Sequence, residues 1–172
     1  MRKQQKGFSL IELLIVVAII LIIAAIAIPN LWKARIAANE SAGASTLRTL
    51  NTAEVTYSTT YPTAGYAPDL VHLGPSSDCT SPSTITSANA CLIDNVLACG
   101  TGPCAKGAYN FQITSAASAA PYPDYLATAI SLTKTAATLD YCSTNDAVVR
   151  FQVTTGSGIS TASTCTALKA IQ

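Results

Sequence analysis

The chain opens with an unbroken apolar run and continues with an amphipathic one. From Phe8 to Ile28, FSLIELLIVVAIILIIAAIAI, 21 residues contain one charged side chain, Glu12. A helix of that length reaches roughly 31 Å at about 1.5 Å per residue, close to the hydrocarbon thickness of a bilayer. Beyond Pro29 the pattern changes. Ile36, Gly43, Leu47, Leu50, Tyr57 and Tyr61 fall on one face at helical spacing, while Arg35, Asn39, Glu40 and Arg48 fall mostly elsewhere. Glu54 lies on the apolar stripe, where it is expected at the edge with its carboxylate in solvent. Pro62 and the turn-rich YPTAGYAP end the pattern. One long helix is therefore predicted from Phe8 to about Tyr61, roughly 80 Å if unbroken. Pro29 removes a backbone donor and crowds the preceding turn, so a kink is predicted there.

Residues 62 to about 106 are rich in Ser, Thr, Pro and Gly and carry four cysteines. They read as a disulfide-pinned loop region, with a short helix expected over CLIDNVLA, Cys91–Ala98. Three segments then alternate in the manner of antiparallel strands: AYNFQITS at 108–115, YLATAISLT at 125–133 and AVVRFQV at 147–153. Their buried face finds its natural cover in the apolar stripe of the long helix. The fold class expected is α+β, a long N-terminal helix packed by its C-terminal half on an antiparallel sheet. Cys142 to Cys165 reads as a last strand plus a loop stapled back to its start.

Composition sharpens the picture. Hydrophobic residues make up 49% and charged residues 11% of the 172, the latter well under the roughly 25% of ordinary soluble domains. The apolar run exceeds the roughly 7–15 residues of a secretory signal and ends at Pro29-Asn30, so it reads as a spanning segment. Arg2, Lys3 and Lys6 precede it and place the N-terminus on the cytoplasmic side by the positive-inside rule. All six cysteines lie beyond it, as expected of an exported domain held by disulfides. Six cysteines allow 15 connectivities. Loop closure favours near neighbours, giving Cys79–Cys91, Cys99–Cys104 and Cys142–Cys165. The net charge is +1, and without the three leading cations 7 basic residues face 9 acidic ones. No basic patch points to nucleic acid.

Glu12 is the residue that asks for a function. A carboxylate at membrane depth costs on the order of 2.5–3.5 kcal/mol on insertion scales. It either lies near enough to the cytoplasmic surface to reach water, or it has a partner. Cleavage between Gly7 and Phe8 would create a positively charged amine at Phe8, one helical turn from Glu12 within a chain and within reach of a neighbouring chain's acid.

KGFSLIELLIVVAIILIIAAIAIPN resembles the class III signal of type IV prepilins, and in particular of type IVa pilins. The basic leader, Gly7, Phe8, Glu12, the apolar helix and Pro29 carry the resemblance over about the first 35 residues. YAPDLVHLGP, CLIDNVLA and DYCSTNDAVVRF, followed by the last cysteine, resemble more loosely the globular head and C-terminal disulfide loop of bacterial pilins. The resemblance implies a leader over 1–7 cut after Gly7 by a prepilin peptidase, with N-methylation of Phe8. It implies a transmembrane and filament-core helix over 8–30 and a globular head over 31–172. The chain would wait in the inner membrane and be drawn by an assembly platform into a homopolymeric surface filament. Glu12 would recruit the incoming subunit through its Phe8 amine, and Pro29 would allow local unwinding. Ala18, Ala24, Ala25 and Ala27 would let the helices approach closely.

Other classes find less in the residues. His72 is the one histidine and has no nucleophile motif beside it, so an enzyme is not expected. Cys99-x4-Cys104 lacks the partners of a zinc site, and Asp140 with Asp146 lacks the ligand density of a calcium loop. No cofactor is implied. Phe8, Trp32, Tyr57 and Tyr61 read as packing residues rather than an electron path. A pseudopilin of a type II secretion system shares the N-terminal signature and is the alternative reading. A single-span anchored binding domain is another, but it leaves Glu12 and the Gly7–Phe8 junction without a task.

Overall fold

The computed structural model describes residues 8–75, 79, 81–154 and 158–171. Its first element is α1, Leu10–Thr60, whose 51 residues run through Pro29 without a break in helical assignment. The chain divides between Arg35 and Ile36 into two compact units. The first contains the apolar part of α1 and the second contains everything else.

In the second unit α1 buries Gly43, Ala44, Leu47, Leu50, Asn51, Ala53, Glu54 and Tyr57. This is the stripe that the spacing predicts, with Ile36 and Tyr61 half-buried at its margins. The opposite face is lined with threonines. Thr46, Thr49, Thr52, Thr56 and Thr60 each donate a hydroxyl to the carbonyl four residues earlier. That satisfies the hydroxyls within the helix and leaves the face nearly free of charge.

The stripe lies on six antiparallel strands joined in simple succession, each beside its sequence neighbour. They are β1, Cys104–Lys106, β2, Tyr109–Thr114, β3, Leu126–Ser131, β4, Leu139–Thr144, β5, Arg150–Val153, and β6, Lys169–Ala170. Tyr109, Phe111 and Ile113 alternate inward along β2, as a half-buried strand requires. Small residues occupy the centre of the contact, Ala127 and Ala129 on β3 with Gly43 and Ala44 on α1. Gly43 is obligatory there: a Cβ would stand 2.6 Å from the Tyr109 ring.

The three expected strands are β2, β3 and β5. The additional β4 carries Asp140, Cys142 and Thr144 on the face turned away from α1, and these polar or sulfur-bearing residues blur its apolar alternation. A second small core on that face, built from Leu126, Cys142, Ile159 and Cys165 with Leu168, takes in Cys142, while Asp140 accepts from the Ser131 amide and the Thr154 hydroxyl. Cys165 comes from α3, Ala162–Thr166, capped by the Thr161 hydroxyl. β1 and β6 are too short to leave a pattern.

One loop expectation is corrected. Cys91–Ala98 is a series of turns, not a helix. Asp94 takes the Leu97 amide with its carboxylate and the Ala98 amide with its carbonyl, and Cys91 has a left-handed φ of 55°. Such side-chain bonding offers the backbone an alternative to helix. A short helix lies earlier instead, α2 at Leu70–Leu73, capped by Asp69. The six cysteines form Cys79–Cys91, Cys99–Cys104 and Cys142–Cys165, with Cα separations of 5.8, 5.6 and 5.9 Å.

Candidate functional site

The candidate site is the start of α1. Phe8 and Ser9 precede the helix, and the Leu13 amide donates to the Ser9 carbonyl at 3.2 Å. Glu12 stands in the first turn and is exposed. An acid there faces the positive end of the helix dipole, which favours it modestly. Phe8 and Glu12 are four residues apart, the spacing of one turn. Gly7 and the leader residues 1–7 lie outside the described residues.

What surrounds Glu12 is unusual for a protein surface. Every large apolar residue from Phe8 to Ile28 is exposed, from 46% at Val17 to 79% at Leu10. Leu31 and Trp32 extend the exposed band past Pro29. Soluble monomers rarely leave contiguous apolar patches beyond a few hundred square ångströms. Such a surface requires lipid or other apolar helices. By length and composition α1 is able to cross a membrane. Pro29 supplies no amide to the Ala25 carbonyl, so the backbone ladder is weakest where the apolar run ends.

The other residues singled out from the sequence have structural employment. His72 sits in α2 with its ring Nδ1 2.7 Å from Asp69 Oδ1, an oxygen that also caps the helix through the His72 amide. Asp146 pairs with Arg150 at 2.6 Å, which holds its carboxyl below the usual range. Asp140 is buried and accepts from the Ser131 amide and the Thr154 hydroxyl. These two acids are therefore not a paired ligand set. Among the described residues no three His, Cys, Asp or Glu side chains cluster as metal ligands. Tyr57 and Tyr61 lie 5.1 Å apart between ring centres, and Tyr57 belongs to the core.

Glu54 is a correction. It does not reach solvent from the edge of the stripe; it is fully buried. Its Oε2 accepts the Ala67 amide at 2.9 Å, while Oε1 has no hydrogen-bond partner among the described residues. Burial above all raises its pKa to about 8; the Ala67 bond opposes this and the nearby Asp69 charge adds to it. One turn earlier, Asn51 is fully employed. Its amide donates to Ser143 Oγ and the Ala147 carbonyl, and its oxygen accepts the Tyr125 hydroxyl. The signal available in the sequence was a charged residue in phase with an apolar stripe.

An apolar helix start with one acid, followed by a head of helix and antiparallel sheet, defines a class of chains with an exposed apolar helix joined to a folded head. Residues 2–28 match the family described as the prokaryotic N-terminal methylation motif. Over 39 residues the chain is 62% identical to the type IV wide pilus major component PilA4 of Thermus thermophilus, which is 23% of this chain and 30% of that protein. Over 54 residues it is 48% identical to the type IV major pilin protein PilA of Myxococcus xanthus, 31% of this chain and 24% of that protein. The chain thus spans less than a third of the length of the relatives it matches. No solved structure matches the chain. Its N-terminal segment is similar to those of type IV major pilins.

Proposed function

We propose that the chain is a structural subunit of a type IV pilus, cut after Gly7 by a prepilin peptidase and methylated on the new Phe8 amine. Before assembly, the apolar part of α1 holds it in the inner membrane with its N-terminus cytoplasmic. The assembly platform then draws it into a homopolymeric surface filament serving adhesion, motility or DNA uptake. The observation that carries this reading is the exposed apolar run with one acid a turn from Phe8, on a segment that matches the methylation motif.

The physics favours exchange of lipid for neighbouring subunits. An apolar rod is equally content in a bilayer or against identical rods, so leaving lipid forfeits little hydrophobic stabilisation. The charges give direction. An amine at Phe8 and the carboxylate of Glu12 are each costly alone in apolar surroundings, and docking the amine of one chain on the acid of another relieves both. Pro29, where one backbone hydrogen bond is already missing, is the place where the helix unwinds during assembly.

Shearing the surface filaments from the native cell and measuring the mass of the subunit tests the whole reading. The expected result is an abundant chain that begins at monomethylated Phe8. A chain so processed that stays in the membrane fraction would instead indicate a type II secretion pseudopilin. Retention of residues 1–7 would overturn the leader assignment.

A further inference from the structure

The buried end of α1 contains a group that the filament reading does not use. Glu54 is buried, yet among the described residues it makes one hydrogen bond, to the amide of Ala67. That bond fastens the segment leaving α1 to the helix it has just left. The segment is also held by packing, with Tyr61, Ala64 and Tyr66 against the core and the Tyr66 ring 5.0 Å from that of Tyr125. Tyr61 ends the helix; Gly65, at φ 79°, lets the backbone approach Tyr122, where Tyr66 donates to the Tyr122 carbonyl and Tyr122 donates to that of Ala64. A Cβ at Gly65 would lie 2.3 Å from that carbonyl oxygen, so the approach depends on the glycine. Ala67 itself is fully buried, and directly after it Pro68 and Asp69 lead into α2, whose Leu70 and Leu73 complete the core.

We propose that Glu54 is a proton-operated latch, closed as the neutral acid on the segment Tyr61–Asp69 and released when the carboxyl ionises. The groups facing it are Asp69 from the segment, Tyr57 from α1 and Tyr125 just before β3. None is a cation, and Asp69 is already engaged with His72. A carboxylate formed here would have one amide donor and an acidic neighbour among the described residues. Opening the segment hydrates it. A neutral acid carries no such demand, because the charged form alone is heavily penalised by burial. The raised pKa of about 8 puts the change within the range of ordinary environments.

The test is amide exchange of the full chain in detergent micelles, followed at Ala67 and corrected for the intrinsic pH dependence of exchange. If the open segment titrates as a free carboxyl, protection at Ala67 falls by about 10- to 100-fold between pH 6 and 8. In Glu54→Gln, which keeps the acceptor but cannot ionise, protection stays level over the same range. Constant protection in the wild type, or a parallel fall in Glu54→Gln, would overturn the latch. Should the variant not fold, the wild-type Glu54 carboxyl carbon is followed directly by NMR. A midpoint above pH 7 supports the proposal, and one at or below pH 7 overturns it.

Discussion

Two carboxylates on α1 meet opposite surroundings. Glu12 is an exposed acid among exposed apolar residues, so its cost appears only when something apolar covers the helix. Replacing it by alanine leaves the spanning segment more apolar, and membrane insertion is expected to persist. Filament yield in the sheared fraction is expected to drop about tenfold or more, because the buried amine of the incoming chain loses its counter-charge. Wild-type yield from Glu12→Ala would refute the pairing. Glu54 is covered already, and its effect is on stability. Its carboxyl titrates near 4.5 when unfolded and about 8 when folded. Below pH 4.5 both states hold the proton and the residue is neutral in its effect. Between 4.5 and 8 the unfolded chain releases it first, so head stability falls as pH rises, then levels off above 8. Near neutrality the loss is on the order of 3 kcal/mol at about 1.4 kcal/mol per pKa unit. Melting of the head against pH should slope downward in the wild type and flatten in Glu54→Gln.

At the scale of elements, legibility follows how much of a residue's environment lies in its own neighbourhood. The extent of α1 was readable because apolar content and spacing are properties of one segment. β2 and β5 were readable for the same reason. β4 was not, since Cys142 is buried against Cys165 of α3 and Asp140 accepts hydrogen bonds from Ser131 and Thr154, residues outside the strand. The Cys91–Ala98 turns were missed because a single Asp94 carboxylate, not periodicity, decides the backbone there. The candidate site was open to reading because a lone charge in an apolar run stands out locally. Glu54 gave the same signal, but whether it faced solvent or core depended on the segment that folds over it. The α1–sheet contact yields a prediction of its own. Gly43→Val places two methyl groups against Tyr109, whose hydroxyl is held by the Leu139 carbonyl at 2.9 Å. Overpacking of this kind costs about 1–3 kcal/mol, measurable as a lower melting temperature of the head with the apolar part of α1 still membrane-inserted. An unchanged melting temperature would mean that the helix and sheet separate easily.

At the scale of the molecule, a stapled head follows an apolar rod that cannot remain bare. The Cys142–Cys165 bridge ties β4 to α3 and closes the smaller core. Replacing both cysteines by serine is expected to cost about 3 kcal/mol by the chain-entropy estimate for such a loop. The head should then become protease-sensitive while the spanning segment is unaffected; unaltered resistance would show that the tail is held by packing alone. The three bridges also have a mechanical meaning. A subunit pulled from its N-terminal helix is loaded in tension, and the slack available to it is set by cross-links rather than by hydrogen bonds. The bridged residues are 12, 5 and 23 positions apart, so at about 3.5 Å per extended residue they withhold roughly 140 Å of contour. If the chain polymerises as proposed, a fibre under load is expected to reach its full stretch early and to lengthen at constant force when reducing agent is added.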